Sequence, residues 1–207
     1  MKKIILLVLV GMFSGLFAYA VVDPSAVKIK LYAAYIAEQG DCKNPIKIFE
    51  DAAGKEFNMM ETPELGSGQV EPKAYKCMIM HMGDRVKVTP AKTEGSCSVG
   101  IESTMDICQN GTLVMDAGTG STYTCTGNED KVFVYLSTTA TSENGGAGAF
   151  IRPDKEGDGN GMRLQNAIDT SKGKGCFVFD CFGKVDGNTI PNTCSMNPPT
   201  FGYRPGC

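Results

Sequence analysis

The chain has 207 residues, with 20 lysines and arginines against 23 aspartates and glutamates, 42% hydrophobic residues, nine cysteines and a single histidine. That length buries a core as one domain, or as one domain with an appendage, without depending on covalent staples. The mild acidity leaves no clustered Lys/Arg footprint, so nucleic acid and anionic lipid are not expected partners.

Met1-Lys2-Lys3 precedes an apolar run from Ile4 to Val10 that continues to Phe17, the charged and greasy regions of a secretory leader. Ala18-Tyr19-Ala20 puts small side chains where a signal peptidase accepts only small ones, so cleavage is expected between Ala20 and Val21. Residues 1–20 are thus read as a signal peptide. Gly11, Ser14 and Gly15 interrupt the run, which argues against a retained span of about 20 apolar residues. No cysteine lies in or just after the leader, which excludes a lipid-modified cysteine anchor. Loss of Lys2 and Lys3 lowers the basic count from 20 to 18 against 23 acids, a net charge of −5. The mature protein is expected in the periplasm, or outside the cell or at its surface, without membrane insertion.

Export makes disulfides the default for Cys42, Cys77, Cys97, Cys108, Cys125, Cys176, Cys181, Cys194 and Cys207. The closest pair, Cys176 and Cys181, has four residues between its members. That spacing fits neither a zinc site nor a Cys-x-x-Cys redox or haem motif. An odd count leaves one cysteine over. Cys207 is the first candidate, because chain ends fray; the alternative is that it pins the tail to Cys194 or an earlier cysteine.

Along the mature chain, Val27, Ile29, Leu31, Ala33 and Tyr35 alternate with Lys28 and Lys30, the period of two of a half-buried strand. Pro45 starts a partner strand through Ile46, Ile48 and Phe49. Residues 61–72, with two prolines and two glycines, read as a loop. Tyr75–Met82 and Arg85–Thr89 are strands. Asn110-Gly111, between Asp106-Ile107-Cys108 and Leu113-Val114-Met115, predicts a two-residue type I′ hairpin, which accounts for the formal Asn-Gly-Thr sequon there. Further strands are expected at Lys131–Ser137 and Cys176–Asp180. Arg163–Thr170 offers only a short helical turn. Gly145-Gly146-Ala147-Gly148 lacks the Lys-Ser/Thr ending of a P-loop and reads as a flexible surface loop. From Asn192 the composition shifts to Pro and Gly. The expected fold is all-β: a disulfide-stabilised antiparallel β-sandwich over 21–191, with a Pro/Gly-rich C-terminal tail, 192–207, packed on it.

Pro72-Lys73-Ala74-Tyr75-Lys76-Cys77 resembles the turn-then-strand entry of prealbumin-like and Cna-B-like secreted bacterial β-sandwiches, over residues 70–90. Tyr75, two residues before Cys77, is also similar to an immunoglobulin tyrosine corner, although the chain has no tryptophan. Either resemblance implies a binding or structural role rather than catalysis.

Asp154, Glu156, Asp158 and Asn160, followed by Gly161, place oxygens at alternate positions like the first half of a calcium loop. Gln165 stands where the bidentate Glu belongs, and a solvated glycine turn is the favoured reading. His81 shares a strand face with Cys77 and Ile79, with no Gly-x-Ser-x-Gly elbow to serve, and reads as structural; Ser67 lies in an unpatterned loop. Met78, Met80 and Met82 share the opposite face, with Met59 and Met60 nearby in sequence. Thioethers suit Cu(I), but such residues more often fill cores. No cofactor is expected beyond that calcium loop. The functional expectation is an exported structural, adhesive or ligand-binding module, not an enzyme, whose partner is a protein or surface ligand. The rivals are a secreted enzyme whose Asp84, Asp106, Asp116 or Asp180 converge only in the fold, and a self-associating cell-surface subunit.

Overall fold

The computed structural model describes residues 21–61, 70–187 and 193–207. The leader, most of the 61–72 loop with Ser67, and Asn192 lie outside the described residues. The fold is all-β. Among the described residues no helix reaches seven residues, and none is long and apolar enough to cross a membrane.

Strand β1 (Pro24–Ala37) is the spine. One edge carries β2 (Ile46–Asn58); the other carries β4 (Cys77–Gly83) beside its second half and β5 (Arg85–Pro90) beside its first. The two-residue β3 (Ala74–Tyr75) leads into β4. The chain bends at Asp84, so β6 (Ser103–Asp106) adds to β5, whereas β9 (Lys131–Ser137) adds to β4 and carries β10 (Met162–Arg163) at its far edge. Between β6 and β9 the hairpin β7 (Leu113–Met115) and β8 (Thr122–Thr124) forms separately. After β10 come β11 (Ile168–Asp169), which pairs with β3, and β12 (Gly175–Asp180). Then follow β13 (Val185–Asp186), β14 (Ser195–Met196) and β15 (Thr200–Pro205); β13 pairs with β14 and β12 with β15.

The period-two reading of β1 holds only to Leu31. Leu31 pairs with Met82 and Ala33 with His81, so Tyr32 is an extra residue that turns the remainder of the strand over. The core face is therefore Val27, Ile29, Leu31, Ala34 and Ile36, and Tyr35 joins the other face. Gly54 makes room for the bulge: its φ is 80°, and a Cβ there would lie 2.5 Å from the Tyr32 ring.

That core face meets Met78, Met80 and Met82 of β4, Val86 and Val88 of β5, and Val132, Val134 and Leu136 of β9. Over it pack Phe201 and Met196 from the C-terminal strands, and Ala149 and Phe150 from a 3-10 turn at Gly146–Phe150. Gly145–Gly148 lies at the surface as read, with Gly146 and Ala147 exposed. It opens a turn whose last residues are buried, and Gly145 sits so close to Met162 and Ala149 that a Cβ would reach both. On the opposite face the β7–β8 hairpin covers Tyr135, whose hydroxyl donates to the Met115 carbonyl at 2.9 Å. The result is sandwich-like, and the stretch read as a tail contributes β14 and β15.

Two local expectations are corrected. Asn110-Gly111 makes no type I′ hairpin: only Gly111 has positive φ (84°), and the Thr112 N–H donates to Gln109 carbonyl, the pattern of a type II turn. β7 pairs with β8 instead, because Asp116 organises the next turn by accepting from Gly118 N–H and Thr119 N–H. Residues 163–169 make no helical turn but hold pieces of β10 and β11; a 3-10 turn opens at Thr170, the last residue of the expected stretch, and runs to Lys172.

Four disulfides join Cys42 to Cys77, Cys97 to Cys194, Cys108 to Cys125 and Cys176 to Cys207. Such bonds persist in oxidising compartments. The odd cysteine is Cys181, fully buried, rather than Cys207. Cys207 pins the C-terminus to an earlier cysteine, Cys176 on β12, since β15 runs antiparallel to β12 and brings the chain end beside it.

Candidate functional site

The bend at Asp84 separates β6 from β9 and opens the core face between them. Residues from both flanks and from the C-terminal strands wall a cleft of about 290 Å³. Five methionines line it: Met80 and Met82 from β4, Met105 from β6, Met162 from β10 and Met196 from β14. Phe150, Phe179 and Phe201 supply aromatic walls, and Ile29, Val86 and Val134 the floor. Alternation brings Met80 and Met82 to one face, which the sequence shows; Met105 and Met196 meet only in the fold, where Met196 N–H lies 3.0 Å from the Met105 sulfur. A cavity of about 150 Å³ takes a benzene ring, so this one has space for roughly twice that. Thioether side chains bend readily around irregular apolar shapes. Among the described residues Asp106 and Asn144 are the lining positions with ionisable or amide side chains, and the pairing of Val86 with Met105 and of Arg85 with Asp106 turns the Asp106 side chain to the opposite face of the sheet. A larger hollow of about 340 Å³ lies against β12 and β15, but Gln165, Asn166, Asp180 and Arg204 make it polar and open.

The other sequence-derived candidates are dispersed. Asp84 is fully buried; its Oδ1 accepts from Asp130 N–H at 3.0 Å, and its Oδ2 has no hydrogen-bond partner among the described residues. Burial, opposed by the Asp130 N–H and reinforced by the neighbouring Asp106, pushes its pKa above the ordinary carboxylate value. Asp106 accepts from Cys108 N–H and faces Arg85 at 3.4 Å. Asp116 lies on the far side of the sheet, and Asp180 ends β12. Among these four only Asp84 and Asp106 are neighbours, and Asp84 is closed to solvent. Among the described residues no three His, Cys, Asp or Glu side chains group as for a metal ion.

His81 stacks on Phe133 at 4.2 Å with the rings 5° from parallel, and its other side meets Tyr32 at 5.5 Å. Burial, then the Lys131 ammonium, lowers its pKa and favours the neutral ring. In the 154–161 loop, both Asp158 carboxylate oxygens accept backbone N–H groups, from Asp154 at 2.8 Å and Asn160 at 3.1 Å. Asp154 and Glu156 stay exposed. Tyr75 is fully buried and its hydroxyl donates to the Glu71 carbonyl at 3.0 Å, the local geometry of a tyrosine corner.

The chain matches no protein-family model, no curated protein and no solved structure.

Proposed function

We propose that this chain is an exported, disulfide-bonded binding module that takes a small apolar ligand in the methionine-lined cleft, in the periplasm or outside the cell. The observation that carries the reading is the cleft itself. It is concave, walled by methionine and phenylalanine side chains, and supported on one side by a seven-stranded sheet. Ligand sites are mostly apolar, and this cleft has that make-up. The leader-like first residues and the disulfides support export, and the separation of Asp116 and Asp180 from the neighbouring Asp84 and Asp106, of which Asp84 is closed to solvent, supports binding over catalysis.

The test is a fluorescence titration of the mature protein with N-phenyl-1-naphthylamine, whose emission rises in apolar surroundings. Saturable binding is expected at one site per chain. Val134→Phe places a ring in the cleft and should weaken binding at least about tenfold, equivalent to roughly 1.4 kcal/mol. Met105→Gln, on a partly exposed strand, is the milder second variant. Binding that neither substitution changes would remove the cleft as the site.

A further inference from the structure

We infer that the cleft also takes a soft monovalent metal ion, Cu(I) or its redox-inert counterpart Ag(I), through methionine thioethers; the inference rests on the cleft and its sulfurs, not on the apolar occupant proposed above. Of the eleven methionines in the chain, five line this one hollow. Strand register gathers them. Met80 and Met82 are two positions apart on one face of β4, and Val86 continues that face beyond the bend at Asp84. Met105 is the cross-strand partner of Val86, which brings it to the Met82 end of the cleft. Met196 N–H approaches the Met105 sulfur at 3.0 Å, and a thioether has a second lone pair to give. Met162 closes the other side, paired across to Leu136 on β9.

The chemistry of the lining selects the ion. Among the described lining residues there is no lysine, arginine or histidine, so no positive side chain repels a cation. Hard divalent ions need several oxygen ligands, and Cu(II) needs nitrogen or oxygen. The lining offers them only the Asn144 amide, and the single histidine, His81, stacks on Phe133 on the other face of β4. Thioethers are neutral and soft, the donors that select Cu(I). Several of them around one ion replace the water that it loses on entering an apolar site. Leucine would fill the same walls; what methionine adds is a sulfur on a side chain flexible enough to turn toward an ion. Met105 is partly exposed and the other four are buried, so an ion arriving from solvent meets Met105 first and is held by the sulfurs behind it.

Calorimetric titration of the mature protein with Ag(I) in chloride-free buffer tests this. One ion per chain should bind, and binding should persist in Cys181→Ala, which removes the one free thiol. Met82→Leu/Met105→Leu should weaken Ag(I) at least about tenfold. The same pair should leave N-phenyl-1-naphthylamine binding within about threefold, because leucine keeps the apolar volume. In the spectrum of isotope-labelled methionine methyl groups of the unaltered protein, Ag(I) should move the signals of the cleft methionines and not those of Met59, Met60, Met78 and Met115; this reads the site even should the double variant not fold. Ag(I) uptake that disappears with Cys181, that ignores the loss of both sulfurs, or that leaves the cleft methyl signals in place overturns the inference while leaving the apolar-ligand reading intact. Failure of the probe to bind, with Ag(I) still moving the cleft signals, overturns that reading alone.

Discussion

Removing the bond between Cys97 and Cys194 should destabilise the protein more than removing any other disulfide. It joins residues 97 positions apart, against 17 for Cys108–Cys125. Constraining the unfolded chain stabilises by an amount that grows with the logarithm of the loop, about 4.7 kcal/mol for the first and about 3.1 kcal/mol for the second. The Cys108–Cys125 bond lies inside the longer loop and short-circuits it, which lowers the first figure by about 0.2 kcal/mol. A difference of roughly 1.4 kcal/mol remains. Packing does not reverse the order, because all four sulfurs are buried and their replacement by alanine leaves comparable voids. Equilibrium urea unfolding of Cys97→Ala/Cys194→Ala and Cys108→Ala/Cys125→Ala, with the remaining bonds intact, reads both values, and the slope should rise in each as the unfolded chain expands. The first variant should also bind N-phenyl-1-naphthylamine more weakly, since Cys194 anchors the segment carrying Met196 into the cleft wall. A shorter-loop variant that is the less stable of the two would refute the reasoning.

Three further outcomes follow from individual residues. Burial pushes the Cys181 thiol pKa up to about 12, so a thiol reagent at neutral pH should leave the native protein unmodified and label one cysteine after unfolding in urea; labelling at Cys207 would contradict the pairing. Tyr75→Phe keeps the packing but removes one of the two donors to the Glu71 carbonyl, which the Thr170 hydroxyl also serves, and should cost about 1 kcal/mol or less in urea unfolding. The Asp84 carboxyl has a folded pKa above its unfolded one, so the native chain retains a proton that the unfolded chain releases. Stability is therefore lost as pH rises through the window between the two values. Asp84→Asn should raise Tm at neutral pH, and the gain should vanish below the ordinary carboxylate pKa; a gain equal at all pH values would show that the charge plays no part.

Much of the sheet is legible in the residues. Lys131–Ser137 is a strand at both levels, as is Arg85–Thr89, which the fold extends to Pro90. Alternation also assigns Met78, Met80 and Met82 to one face and His81 to the other, because side chains in a strand must alternate whatever lies nearby. The same rule fails in β1 after Leu31. The bulge at Tyr32 depends on Gly54, which lies twenty-two positions away in sequence and approaches only when β2 pairs. Asn110-Gly111 misleads for a related reason: dipeptide preference is local, whereas the partner of Leu113–Met115 is selected by the Asp116 turn.

Composition and local patterning alone determine that this chain is acidic, cysteine-rich and built largely from strands, since charge and period-two alternation are local properties of the chain. Tertiary structure decided which cysteines pair, that Cys181 is the one left over, and that Met105, Met162, Met196, Phe179 and Phe201 join Met80 and Met82 around one cleft. Those residues come from elements separated by most of the chain's length. Their convergence follows from the bend at Asp84 and the return of the C-terminal strands over the core face, neither of which leaves a periodic mark in the sequence.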